Sequence, residues 1–225
     1  KYICVTSVHG VMLAQRDSEL RSIINRADIV TPDGMPIVWA MRSFGRKGQQ
    51  RVYGPALMLA LCRRAAEAGH RIFLYGSRPE TLRHLQQNLR AKYPQLNIAG
   101  ACTAPFHALT PEEDSRIQQI ILHSNCDLLF IGIGEPKQSR WMADHLASFP
   151  GVIMLGLGAA FDFHAGVQKQ APEWMQNSGL EWLFRLFNEP KRLWRRYLLI
   201  TPWFLPRWGV QWLRLRCPRR SRLAF

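Results

Sequence analysis

Three groups of residues in this chain have the type and spacing to do chemistry. The first is an isolated acid, Asp33, in the stretch VTPDGMPIVWAMR, Val30 to Arg42. It stands between a β-branched run and Gly34, and an apolar, helix-like segment follows. Asp before Gly is a common turn pair, with Gly free to take positive φ. The same carboxylate at a strand end suits a general base that accepts the proton of an attacking hydroxyl. The second group is a set of glycine-bearing strand ends: FLYGSRPE at Gly76, LLFIGIGEPKQ at Gly132 and Gly134, and IMLGLGAAFDFHAG from Gly156. Glycines let backbone N–H groups approach a phosphate, and a helix N-terminus adds partial positive charge. Any one of these reads equally well as a tight turn. Three on one sheet edge favour a nucleotide or phosphate ligand. The third group is the arginines Arg185, Arg192, Arg195 and Arg196, interleaved with Trp, Phe and Leu.

Several chemistries are poorly supported. Neither Gly132-x-Gly134 nor Gly156-x-Gly158 continues into a dinucleotide fingerprint: Lys137 and Phe161 stand where the third glycine belongs. No GxxxxGK[ST] occurs, so neither a P-loop NTPase nor an NAD enzyme is expected. No Asp-x-Asp is present, and the seven histidines are dispersed. Glu112-x-Asp114 is explained by the first turn of a helix, and Asp162-x-His164 is a weak cation pair. No metal and no cofactor are expected.

The elements that must position these residues follow from periodicity. Short β-branched or aliphatic runs fall at Tyr2–Thr6, Asp28–Thr31, Arg71–Tyr75, Leu96–Ala101, Asp127–Ile133 and Val152–Leu157. Helical patterns lie between them. One opens on a possible N-cap at Asp17, one runs from Pro55 to Gly69, one follows Ser77–Arg78, and one has Thr110, Pro111 and Glu113 in capping-box spacing. This alternation predicts an α/β fold with a mostly parallel, Rossmann-like sheet and helices on both faces. Ligands of such sheets bind beyond the carboxyl ends of the strands.

From about Gly179 the strands stop and prolines recur at 190, 202, 206 and 218. The expected organisation is an α/β catalytic domain over 1–178 and a helical, basic appendage over 179–225. Arg185 to Phe225 holds eleven Lys/Arg against one acid, so most of the net charge of +14 sits there. Such an end meets phosphates, nucleic acid or an anionic membrane. Arg on phosphates with stacking Trp suits nucleic acid. Leu-rich, proline-broken apolar faces with Trp at headgroup level favour the membrane surface, and nucleic acid is not the expected partner. An ordinary helical subdomain with a solvated basic face is the third reading, disfavoured by five of the eight Trp lying from 182 onward. The longest apolar run near the end, Tyr197 to Pro206, is far short of a bilayer span. The cysteines, at 4, 62, 102, 126 and 217, are odd in number and scattered, as in a reduced cytoplasmic protein. No signal peptide is recognisable, and the first residue is not Met, as in a chain trimmed at its start.

Taken in order, TPDGMPIVWAMR, RVYGPALM, FLYGSRPE, IGIGEPKQ, LGLGAAFDFHAG and KQAPEWMQNSGLEWLFRLFNEPKRLWRRYL resemble the WecG/TagA/CpsF family of bacterial glycosyltransferases, over nearly the whole chain. The resemblance implies metal-independent, inverting transfer of a sugar from a UDP-sugar to a polyprenyl-diphosphate-linked acceptor. The place implied is the inner, cytoplasmic face of the plasma membrane, with the enzyme peripheral on it. It implies Asp33 as catalytic base and Gln138 beside the reaction. Gly76, Gly132, Gly134, Lys137 and Asp162 fall to the nucleotide-sugar. Thr6, Ser7, Arg51, Arg185, Arg192, Arg195 and Arg196 fall to the acceptor or a diphosphate. Departures occur at Ser139, where the family usually has Glu, at Ala56, where it has Asp, and at Ser7, near an Asn position. Two of them, Ala56 and Ser139, motivate the alternative of a sugar-nucleotide-binding homologue without catalysis. Oligomeric state stays open, a homo-oligomer assembled on the membrane being one candidate.

Overall fold

The computed structural model describes residues 1–105 and 107–216. Cys217, Pro218 and the rest of the basic tail lie outside the described residues. Six strands form one sheet: β1 (Tyr2–Thr6), β2 (Ile29–Pro32), β3 (Arg71–Gly76), β4 (Asn97–Cys102), β5 (Leu128–Gly132) and β6 (Ile153–Gly156). Their order is β2-β1-β6-β5-β3-β4. The β1–β6, β6–β5, β5–β3 and β3–β4 pairings are all parallel. The helices are α1 (Val8–Arg16), α2 (Ser18–Arg26), α3 (Met35–Ser43), α4 (Gly54–Ala68), α5 (Pro79–Lys92), α6 (Pro111–Ser124), α7 (Lys137–Asp144), α8 (Ala160–His164), α9 (Glu173–Asn177), α10 (Glu181–Asn188), α11 (Pro190–Trp194) and α12 (Phe204–Arg216). The α/β expectation is borne out, and each expected strand appears within a residue or two of its expected ends.

The chain forms two compact units. The first comprises Lys1–Thr6, Leu13–Thr31 and Val52–Gln170. Its sheet is apolar on both faces because consecutive strand residues point to opposite sides. Phe73, Tyr75, Leu129, Ile131 and Met154 pack with Leu20 and Ile23 of α2, Ile117 and Ile121 of α6, and Trp141 and Met142 of α7. Ile72, Leu74, Phe130 and Leu155 pack on the other side with Met58 and Cys62 of α4, Leu85 and Leu89 of α5, and Phe161 of α8. Fully burying one such side chain contributes about 1.5–3 kcal/mol. The helix ends read from sequence are present. Leu20 N–H donates to Asp17 Oδ1 at 2.9 Å, Thr110 and Glu113 form a reciprocal capping box, and Gly69 closes α4 in the left-handed region.

One feature of the strand order matters for function. The connection from β3 runs to the outer neighbour β4, whereas that from β5 runs the opposite way to β6. The β3–β5 junction is therefore a topological switch point, where open parallel sheets present a ligand crevice.

The second unit comprises Ser7–Met12, Pro32–Arg51 and the chain from Ala171 onward. Buried Val8 and Met12 of α1, Ala40 of α3 and Phe204 of α12 form its small core, with Ile37, Ile200 and Trp208 packed around them. Trp208 Nε1 donates to Ser43 Oγ at 2.8 Å. The stretch from Gly179, expected as an appendage, thus packs on α3 and the start of α1. Its prolines explain why it is not one continuous helix. Pro190 opens α11, Pro202 lies in the 3-10 turn Thr201–Trp203, and Pro206 sits in the first turn of α12, the part of a helix that tolerates it. Gly179 has φ +74, and a Cβ there would lie 2.7 Å from the Trp39 ring, so only glycine fits.

Candidate active site

The second unit encloses a cavity of about 100 Å³. Three segments far apart in sequence build it. Asp33 stands between the end of β2 and Gly34, the N-cap of α3. Gly34 has φ +116, the conformation expected of a glycine that turns the chain there. Arg51 lies just ahead of α4, and Glu181 is the first residue of α10. Arg51 Nη2 donates to Glu181 Oε2 at 2.5 Å and reaches Asp33 Oδ1 only at 3.4 Å. Arg51 and Glu181 side chains are 12% and 14% exposed, against 27% for Asp33, whose carboxylate stays in touch with solvent. Arg185, Arg196, His9 and Ser7 also line the cavity. Arg196 Nη2 donates to Ser7 Oγ at 3.2 Å.

The electrostatics of this cavity are unusual. Burial pushes Asp33 up to about 6, and the Glu181 charge adds to the rise while Arg51 and Arg185 oppose it. Burial, then the Arg196 charge, pushes His9 down to about 4, so its ring is neutral at neutral pH. Burial likewise pulls Arg196 below its ordinary value, with Arg185 adding to the fall and Tyr197 and Asp33 opposing it. Arg196 Nε and His9 Nδ1 are buried with no hydrogen-bond partner among the described residues. Buried donors and acceptors are nearly always satisfied, so two in one cavity point to a polar ligand. A carboxylate with a raised pKa in a cleft marks a candidate functional site.

The first unit carries the glycine-rich edge. A cleft of about 480 Å³ at the β3–β5 switch point is lined by Ser77, Gly132, Lys137, Arg140 and Trp141, among others. Its size falls within the ~300–1,000 Å³ of small-molecule sites. Gly76 and Gly132 are register partners. A Cβ on Gly76 would lie 2.7 Å from the Gly132 carbonyl carbon, and one on Gly132 would lie 2.6 Å from the Phe161 ring. Both glycines therefore have a packing reason to be glycine. Gly134 differs: φ is +80 and nothing lies within 4 Å of a Cβ, which leaves its backbone open to a ligand. Lys137 is exposed at the first position of α7.

Gln138, 3% exposed, lies within the first unit against the end of β6. Its Nε2 donates to Glu135 Oε1 at 2.9 Å, and Ser139 Oγ donates to the same oxygen at 2.7 Å. The departure at Ser139 thus has a local account: a hydroxyl fills a fully buried position and anchors Glu135. Ala56 is exposed in the first turn of α4. Asp162 accepts from Gln168 Nε2 at 3.3 Å. His164 Nε2 lies 2.8 Å from the Pro55 carbonyl oxygen, which makes that nitrogen a donor and turns it away from any role as ligand with Asp162. Among the described residues no group of three or more His, Cys, Asp or Glu is disposed to hold a metal ion. Thr6 ends β1 and is 6% exposed.

The four tail arginines divide. Arg185 and Arg196 line the cavity, whereas Arg192 pairs with Glu189 on the surface and Arg195 lies over the Trp194 ring at 5.3 Å. Glu181 and His9 are among the lining residues that sequence reasoning did not single out. Glu181 stands eight residues from Glu173 and eight from Glu189, and nothing in its local pattern sets it apart from them. Residues 1–218 match the model of the Glycosyl transferase WecG/TagA/CpsF family, and the chain belongs to that family.

Proposed function

From membership in a glycosyl transferase family, we propose that the chain is an inverting, metal-independent hexosyltransferase. It moves a sugar from a UDP-sugar to a polyprenyl-diphosphate-linked acceptor in bacterial surface polysaccharide synthesis. The observation that carries this reading is the Asp33 cavity, in which one carboxylate of raised basicity faces half-buried arginines. Asp33 takes the proton of the acceptor hydroxyl. The freed oxygen bonds to the anomeric carbon from the face opposite UDP, and the bond to UDP breaks with its electron pair leaving on the diphosphate. The product sugar is inverted, and Asp33 later releases its proton to solvent.

In this reading each unit has its own task. The first unit's switch-point cleft, lined by Gly132 and Lys137, takes the nucleotide-sugar, with Gly76, Gly134 and Asp162 at neighbouring strand ends and Gln138 orienting it. Thr6 closes the same strand edge. In the second unit Arg51, Arg185 and Arg196, with Ser7, meet diphosphate charge, as preorganised donors do without a metal. Arg192 and Arg195 face lipid phosphate. The stretch 179–225 serves as the membrane-engaging part of the chain. Leu198, Leu199, Trp203, Leu205, Leu213 and Leu215 are exposed there alongside Arg207 and Arg214. That composition suits an interfacial helix on an anionic inner leaflet. Among the described residues no helix is long and apolar enough to cross a membrane.

Asp33→Asn tests the base. The expected outcome is intact UDP binding by calorimetry with turnover reduced about 100-fold or more. Near-normal turnover defeats the assignment.

A further inference from the structure

Glu181 belongs to none of the roles assigned so far. It nevertheless holds Arg51 at 2.5 Å. Arg51 has two carboxylates within reach and does not share itself evenly: 2.5 Å to Glu181, 3.4 Å to Asp33. Glu181 is also the first residue of the eight-residue α10, so the helix N-terminus favours its negative charge at that point. We propose that Glu181 is a positioning residue: by engaging Arg51 it draws the guanidinium away from Asp33 and leaves that carboxylate basic enough to accept the substrate's proton.

The charges facing Asp33 support the assignment. Arg51 precedes α4, Arg185 and Glu181 come from α10, Arg196 from the turn after α11, and His9 from α1. Three arginines would, unopposed, turn Asp33 into a strongly acidic, weakly basic ion-pair partner. Glu181 is the second acid among the cavity's lining residues, and its charge acts on Asp33 in the opposite sense to Arg51 and Arg185. Two carboxylates around one cation, unequally served, divide the work: one holds the arginine and the other exchanges the proton. The inference rests on the reading of Asp33 as base and adds what keeps it one.

The test uses the full chain without substrate. Asp side-chain carboxyls are labelled with 13C and titrated by NMR, with Asp33→Asn identifying the Asp33 signal. Glu181→Gln, which keeps shape and loses charge, is expected to move the Asp33 titration down by about one pH unit. Glu181→Asp should restore it to within a few tenths of a unit. Unmoved Asp33 in a folded Glu181→Gln protein, judged by its other Asp signals, overturns the proposal. Arg51→Lys is the second variant, informative even if Glu181→Gln does not fold. Its single ammonium should go to Glu181 and leave Asp33 at or above its starting value; a fall of Asp33 overturns the proposal. For any UDP-hexose the protein turns over, the acidic limb of kcat should shift with the NMR value. Failure of the base reading shows separately, as an Asp33→Asn protein that still turns over.

Discussion

Replacing Asp33 by Asn should stabilise the protein while it disables it. The folded state holds this carboxyl at about 6 against an ordinary value of 3.8. Between those values the folded chain binds the proton more readily than the unfolded chain. Stability therefore falls as pH rises through that window, and the penalty is fully present above pH 6 and absent below pH 3.8. At 1.36 kcal/mol per unit the difference amounts to about 3 kcal/mol as an upper bound. Partial exposure, 27% of the side chain, lets water screen the charge and lowers the expectation to about 1–3 kcal/mol. Asn has nearly the shape of Asp and no charge to bury. Urea unfolding at pH 7.5 should therefore give the Asn variant a higher midpoint with an unchanged slope. Thermal unfolding should show a gain of roughly 2–4 °C per kcal/mol for a chain of this size. Repeated at pH 4, the difference should largely vanish. An Asn variant less stable than the parent at pH 7.5, or a gain equal at both pH values, would refute the account of Asp33 as a half-buried, weakly compensated charge.

Three further outcomes are expected. Gly132→Ala places a Cβ 2.6 Å from the Phe161 ring and should cost about 1–3 kcal/mol in urea unfolding; a neutral result would mean that Phe161 moves freely. His9 has a folded pKa of about 4 against 6.5, so the unfolded chain binds the proton first and stability falls as pH drops through that window; His9→Gln should flatten this part of the pH–stability curve, and an unchanged curve contradicts the buried neutral ring. Arg207→Gln and Arg214→Gln should each weaken binding to vesicles containing anionic phospholipid roughly fivefold, the equivalent of ~1 kcal/mol per charge near a membrane surface, and added salt should erase the difference.

The sheet was legible because its central strands, β3 and β5, are buried on both faces. Runs such as Leu128–Gly132 and Arg71–Gly76 carry apolar residues at nearly every position, and glycine marks where each ends. Helix limits were legible where a side chain does the capping, as at Asp17 and Thr110. The cavity was only half legible. Asp33 announced itself by lying beside glycine at a strand end. Glu181 and His9 did not, because their chemistry depends on partners 130 and 187 positions away, Arg51 and Arg196. No local pattern encodes such a pairing. Nor did spacing separate Arg196 from Arg195: neighbours in sequence, they differ in which side of the turn faces inward. The strand-end glycines carried a mixed message. Gly76 and Gly132 are required by contacts within the first unit, and Gly134 by none.

The cavity's walls are contributed by positions from Ser7 to Thr201. A ribosome that has delivered Asp33 and Arg51 must add 145 more residues before Arg196 exists, roughly 7–30 s at ordinary elongation rates. For most of that interval the nascent chain carries a prospective base with Arg51 but without Glu181, Arg185 and Arg196. Any product halted before α10 is chemically silent, however well its sheet has formed. The time at which transferase activity first appears on the ribosome is therefore set by the synthesis of α10 and the turn that carries Arg196.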